Sequence, residues 1–486
     1  MLTTVLTMHR LQVTAVHLDY NQVGPRGAQA LVEATAAEGG ALAAVQLAGN
    51  LIGDEGTVAL AASLAAPGCR LNALELAFNG VSDAGAVALA QVIGSGETSV
   101  TTVNLEANDI GFRGASALAV VVASERGRIE TLRLRFNAVT PAGVAVLAAA
   151  AMAPNAVLSA LDLEGNMLGD EGAAAVATVF QNAGRRQPPP ALLALNFEDN
   201  GIGPAGAMSL ATALKAGNTA VSTLSLRSNA VGDQGAASLA DAIRCAGSNL
   251  TKLVLMDNGI GDDGAASLAA GLQSPNSRVA NLHLDNNFIG DRGVGLLAAA
   301  LSKPSSLVMA LDLDNNPIGD AGAASIAAAI ASPSSRLTTL VLGHSADPDG
   351  MVTRIGDAGA TALADAVMVP GSRITSIDLD SNYIGDPGAI AFARAIASAH
   401  SILAHLHLSG TRIGESGVAA LAAALESPNS RIVGLRLERI EMTEATRARL
   451  DAALSSSRLQ QSQESLSSPT IPLGYAPTST RAGDEL

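Results

Sequence analysis

Three stretches of the chain align with one another: LVLMDNGIGDDGAASLAAGL from Leu253, LHLDNNFIGDRGVGLLAAAL from Leu282 and LDLDNNPIGDAGAASIAAAI from Leu311, each 29 residues after the last. In each, two apolar residues flank a variable one, an Asn follows, then Ile-Gly-Asp, then apolar residues at helical spacing. The period-two part predicts a short strand whose two apolar side chains point inward and whose flanking residues point out. After it, Ala265, Leu268, Ala269 and Leu272 fall at i, i+3, i+4 and i+7, which predicts a helix with one apolar stripe.

The Asn of the LxLxxN pattern recurs at Asn21, Asn50, Asn79, Asn108, Asn137, Asn166, Asn200, Asn229, Asn258, Asn287, Asn316 and Asn382. Three more units hold the frame with Ser345, Thr411 and Ile440 at that place, which makes fifteen. Two spacings depart from 29: five extra residues lie around 184–191 and eight around 346–353. Both insertions are polar or rich in Pro and Gly, as loops are.

Each part of the unit has a physical reading. A buried Asn must be satisfied, and stacked Asn amides can bond the turns of neighbouring units as a ladder. Ile-Gly-Asp then supplies an apolar plug, a Gly able to take positive φ, and an Asp at the N-cap of the helix that follows. Helices are about twice as wide as the strand spacing, so the stack is expected to curve, with a parallel sheet inside and helices outside. The fold class is therefore an α/β solenoid: a right-handed horseshoe with parallel strands on its concave face and helices on its convex face.

These residues resemble the ribonuclease-inhibitor-like class of leucine-rich repeats, whose units read LxxLxLxxNxIGDxGAxxLAxAL. The match runs over roughly residues 10–455. The class is also similar to the repeat region of nucleotide-binding immune receptors and to the Ran GTPase-activating protein. The resemblance implies the horseshoe and protein–protein binding; it brings no particular partner. Residues 1–12 form a lead-in without a clear cap, residues 13–455 carry the repeats, and the Ser/Pro/Gln-rich segment 456–486 is too poor in apolar residues to fold. The charged stretch Thr443 to Leu454 reads as a terminal capping helix.

Composition narrows the function. Aromatic residues are 2% of the chain and Trp is absent, so the core must be made of Leu, Val, Ile and Ala in thin repeated layers. A net charge of −15 argues against a nucleic acid partner and for a basic one. No apolar run reaches membrane-spanning length and the start lacks a secretory leader, so a cytoplasmic or nuclear setting is expected. The ending GDEL departs from an ER-retrieval signal at its first residue. Cys69 and Cys245 stand six repeats apart, on the order of 30 Å, too far for a disulfide, and are expected as free thiols.

The outward strand positions are the expected binding surface. They carry twelve acidic and five basic residues. Acidic groups gather at Asp162, Glu164 and Glu198, and again at Asp285, Asp312, Asp314, Asp378 and Asp380. Arg133 and Arg135 form a basic island beside the first cluster, with Arg227 and Lys252 beyond it. Like charges on neighbouring strands cost stability, and a partner bearing Lys or Arg would relieve that cost. The plainer reading is a solvated acidic face in an acidic protein, and the sequence leaves the two open.

No phosphate-binding loop, nucleophile elbow or HExxH motif occurs, so neither cofactor nor catalytic residue is assigned. His405 and His407 share one strand face with Asp378 and Asp380 before them and Glu438 after, a set able to hold Zn or Fe(II), against the plainer reading of polar surface residues. The chain is thus expected to be a non-enzymatic module that binds proteins. The alternative is a GTPase-activating regulator resembling the Ran-activating protein, with a small GTPase as partner and an Arg such as Arg26, Arg113 or Arg292 presented from a strand-to-helix loop.

Overall fold

The computed structural model describes residues 14–35, 43–66, 69–183, 191–344 and 354–454. The lead-in 1–12, Ser345, the insertions apart from Ala191, and the tail 456–486 lie outside the described residues. Fifteen three-residue strands, from Ala15–His17 to Gly434–Arg436, pair in chain order into one parallel sheet. Fifteen helices alternate with them, from Pro25–Thr35 to Glu444–Leu454, giving the α/β solenoid the repeat predicts.

The pairing keeps the repeat in register. Leu282 stands opposite Leu253 on one side and Leu311 on the other. At the two insertions the partners are Leu161↔Leu195 and Leu340↔Ile377, so the extra residues loop out without moving any side chain to the other face. Between sheet and helices lies one continuous core of Leu, Ile, Val and Ala, with Phe180, Phe197 and Phe392 wholly buried. The helix Asp262–Leu272 buries Gly264, Ala265, Leu268, Ala269, Gly271 and Leu272, so the expected stripe faces the sheet and small residues let the helix sit close to it.

The Asn side chains join one unit to the unit before. Asn287 Nδ2 donates to the carbonyls of Leu255 and Leu284, both at 2.9 Å, while its Oδ1 accepts from the N–H of Ile260 at 2.9 Å and of Asn258 at 3.1 Å. Asn258 repeats this towards Leu226 and Val231. Asn21 is exposed and bonds only within its own turn. Where Thr411 replaces Asn, its hydroxyl reaches only the Leu408 carbonyl of its own turn.

Two expectations about the turn need correction. The Asp of Ile-Gly-Asp does not cap its own helix; it caps the helix of the next unit. Asp262 Oδ1 accepts from Gly290 N–H at 2.8 Å and Gly293 N–H at 2.9 Å, the N-cap and third positions of the helix Asp291–Leu301. Asp83, Asp170, Asp233, Asp291, Asp320, Asp357 and Asp386 do the same for their successors, while Glu415 accepts from the N–H and hydroxyl of Thr443 and from the hydroxyl of Thr446, whose own N–H bonds Thr443 Oγ1. A carboxylate at the first helical position can lean across the 29-residue step to orphan N–H groups beyond it. The Gly before this Asp takes positive φ in only some units: Gly53, Gly169 and Gly232 do, at 58°, 57° and 59°, whereas Gly261, Gly290 and Gly319 are extended, at −104°, −93° and −108°. The positive φ falls one residue before the Asn, at Phe78, Ala107, Phe136, Asp257, Asn286 and Ser381 among others.

Candidate functional site

The sheet face is built from the residues that flank the buried strand apolar residues, about 4.8 Å from strand to strand. At that spacing neighbouring polar side chains cover one another. The expectation that they project freely therefore needs correction: Asp162 is 1%, Glu164 6% and Asp285 9% exposed.

The first acidic cluster is neutralised from within. Arg135 lies between Glu164, at 2.6 Å, and Glu106, at 4.0 Å. Arg133 faces Glu75 at 3.9 Å, and Arg227 faces Glu198 at 3.0 Å. Arg135 is thus a counter-charge of the cluster and not part of an island beside it, whereas Arg133, opposite Asp162 in register, makes its ion pair with Glu75 two strands away. Burial is still costly. It pushes the Asp162 carboxyl up to about 6 against the pull of Arg135, and burial together with the Glu164 charge pushes Glu198 up to about 7.

The second cluster has no such compensation. Asp285, Asp312, Asp314, Asp378 and Asp380 lie along the sheet with no Lys or Arg forming an ion pair with them among the described residues. Burial and the charge of Asp312 push Asp285 up to about 8, and burial with Asp312, Asp378 and Asp380 pushes Asp314 up to about 7. Gly343 explains how strands two apart share one patch. A Cβ there would stand 2.7 Å from Asp314 Oδ1 and 3.2 Å from Asp378 Oδ1, so both carboxylates lean over the bare glycine.

Imidazoles flank this strip. His407 Nδ1 bonds Asp378 Oδ2 at 2.9 Å, and His407, Asp378 and Asp380 bring potential metal-ligating atoms within 4.8 Å of one another. His405 is not part of that group; its Nδ1 is buried without a hydrogen-bond partner and packs over Gly434, and Glu438 is exposed outside it. At the other end His283, Asp285 and Asp312 form a second such group. Sequence reasoning passed over His283 because a lone His between two Leu carries no spacing signal; its position opposite Asp312 follows only from register.

The loop arginines differ in setting. Arg26, Arg113 and Arg292 are all exposed, and Arg292 is also paired with Asp262 at 3.2 Å and Asp263 at 2.7 Å. Cys69 and Cys245 are free thiols in partly buried positions. No helix among the described residues is long and apolar enough to cross a membrane.

A family model described as a leucine rich repeat matches residues 13–32, 70–90, 97–119, 155–177, 190–211, 217–240, 248–269, 305–327, 374–393 and 401–422. Among curated proteins, none matches the chain. Among solved structures, an internalin (inlF) from Listeria monocytogenes is 17% identical over 89% of this chain and 88% of its own, with a TM-score of 0.41. TLR13 in complex with ssRNA13 is 14% identical over 89% of this chain and 53% of its own, at 0.47. The Rad7 and Elc1 complex in yeast gives 14% identity over 75% of this chain and 81% of that one, at 0.43.

Proposed function

This chain is a leucine-rich-repeat protein, and on that premise we propose that it is a non-catalytic module that binds a basic segment of a partner protein on its sheet face. The observation that carries the reading is the uncompensated run of Asp285, Asp312, Asp314, Asp378 and Asp380, held at fixed spacing on a rigid sheet. Buried and half-buried carboxyls crowded in this way ionise only at a cost, which holds Asp285 and Asp314 protonated into the neutral range, and a Lys- or Arg-bearing segment laid across the strands lowers that cost. The internally paired cluster at Asp162, Glu164 and Glu198 has less to gain, so contact centres on the second strip. We assign the repeats to the ribonuclease-inhibitor-like class, supported by a full helix in every unit.

The alternative, a GTPase-activating regulator, needs an Arg free to reach a neighbouring active site. Arg292 is already bound to two carboxylates, and no feature of the loops holding Arg26 and Arg113 favours that role.

The test is capture from native lysate by the wild type beside a variant carrying Asp285→Lys, Asp312→Lys, Asp314→Lys and Asp380→Lys, both checked by circular dichroism. A basic protein retained by the wild type and lost by the variant supports the reading. An unchanged set of partners overturns it.

A further inference from the structure

The two His-carboxylate groups at the ends of the acidic strip differ in one respect. In the His407 group the hydrogen bonds are made: His407 Nδ1 to Asp378 Oδ2 at 2.9 Å, the Ser409 N–H to Asp380 Oδ1 at 2.6 Å, and the Asp380 N–H to Asp378 Oδ1 at 3.0 Å. In the other group Asp312 Oδ1 likewise accepts from the Asp314 N–H at 3.1 Å, but no hydrogen bond joins the imidazole to a carboxylate. His283 is 6% exposed, its Nδ1 stands 3.7 Å from Asp312 Oδ2, beyond hydrogen-bond length, and its Nε2 is buried with no hydrogen-bond partner. A buried imidazole left this way carries an unmet desolvation cost, so its place between two carboxylates asks for an occupant.

We propose that His283, Asp285 and Asp312 form a binding site for a divalent transition-metal cation of the zinc type, on the sheet face and separate from the His407 group. The ligand-capable atoms of the three residues lie within 4.8 Å of one another, and Nδ1 and Oδ2 are already 3.7 Å apart. Ligands at the usual zinc bond lengths stand about 3.4 Å from each other in a tetrahedron, so closure needs side-chain shifts and no backbone movement. One imidazole and two carboxylates suit Zn2+ in preference to Mg2+ or Ca2+, which favour oxygen-only sets of higher number. Three protein ligands leave the fourth position to water or to a donor from a bound partner. Neighbouring strands fix the ligands at the step of the sheet, with His283 opposite Asp312 and Asp285 two residues further along its own strand.

The experiment is calorimetric titration of Zn2+ into the full chain, with Mg2+ and Ca2+ as comparators and no partner protein present. It is repeated on His283→Gln, Asp285→Asn and, as control, His407→Gln, each checked for native circular dichroism. The expected result is one Zn2+ site in the wild type and in His407→Gln, weakened at least tenfold in both His283→Gln and Asp285→Asn, with a tetrahedral visible absorption when Co2+ replaces Zn2+. Comparison between variants cancels binding elsewhere on the chain, and if one variant fails to fold the other decides. Equal Zn2+ affinity in wild type and the site variants, or loss confined to His407→Gln, overturns the proposal. Because no partner is present, this outcome is independent of the proposed protein-binding function.

Discussion

At the scale of the residue, the glycine following the helix-starting Asp is closely hemmed in. A Cβ at Gly264 would meet Asp233 Oδ1 at 2.6 Å and Ile260 Cγ2 at 2.7 Å, whereas at Gly261 the nearest atoms stand 3.6 Å away and φ is −104°. Gly264→Ala is therefore expected to destabilise by roughly 1–3 kcal/mol, as overpacking does, and Gly261→Ala to change urea stability little. Ser82 and Thr140 already stand at the place of Gly261 in two other units. Removing the carboxylate instead, Asp262→Ala, strands two helix N–H groups and should cost on the order of 1–2 kcal/mol in the same assay. The sequence made the Asp and both glycines plain, but not their partners. A carboxylate that caps the next helix looks in one dimension like one that caps its own, and only the 29-residue stacking distinguishes them. The positive φ before the Asn was hidden for a related reason: Gly stands there at Gly49, Gly165 and Gly410, but other units carry Phe, Asp, Asn or Ser, so no single residue type marks it.

At the scale of the element, strand and ladder are one device. Asn287 is buried and bonds three carbonyls and two N–H groups, three of these five partners lying in the preceding unit, so Asn287→Ala should cost at least about 1–3 kcal/mol in urea unfolding. Asn21, exposed and bonded only to its own turn, should tolerate the same change. The strands also set a pH dependence. Glu198 and Asp162 have folded values raised to about 7 and about 6, above their ordinary 4.5 and 3.8. An acid raised by folding contributes stability fully below its unfolded value and loses it as pH rises through the folded one. The Asp262 carboxyl is shifted the other way: burial opposes it, but the N–H bonds from Gly290 and Gly293 outweigh burial and hold it low, so its contribution is lost as pH falls below about 4. The urea midpoint is therefore expected to be higher at pH 5 than at pH 8, with Glu198→Gln flattening the difference. A midpoint that rises steadily from pH 5 to pH 8 would contradict the burial cost read from the sheet face.

At the scale of the molecule, the solenoid was legible because each unit repeats one pattern, and the register confirms it through both insertions: Ala160 pairs with Ala194 and Thr339 with Ser376. The charge map was legible only in part. Which residues face outward followed from period two, but which charges neutralise one another depends on cross-strand contacts such as Arg135 with Glu106 and Glu164, and on a glycine at residue 343 that lets Asp314 and Asp378 converge. His283 went unnoticed because nothing in its local sequence separates it from a polar surface residue. The central claim is that the strip, and not net charge, recruits a basic partner. The direct measurement is titration of an oligolysine peptide, by fluorescence anisotropy across a range of salt, against three chains of which two differ from wild type by the same change of charge. One carries Asp312→Asn, Asp314→Asn and Asp380→Asn on the sheet face; the other carries Glu55→Gln, Glu171→Gln and Asp263→Asn on the helix starts. The account predicts that the first loses affinity by at least about tenfold while the second stays near wild type, and that the gap narrows as salt screens it. Equal losses in the two variants would mean that overall charge alone attracts the peptide and would contradict the account.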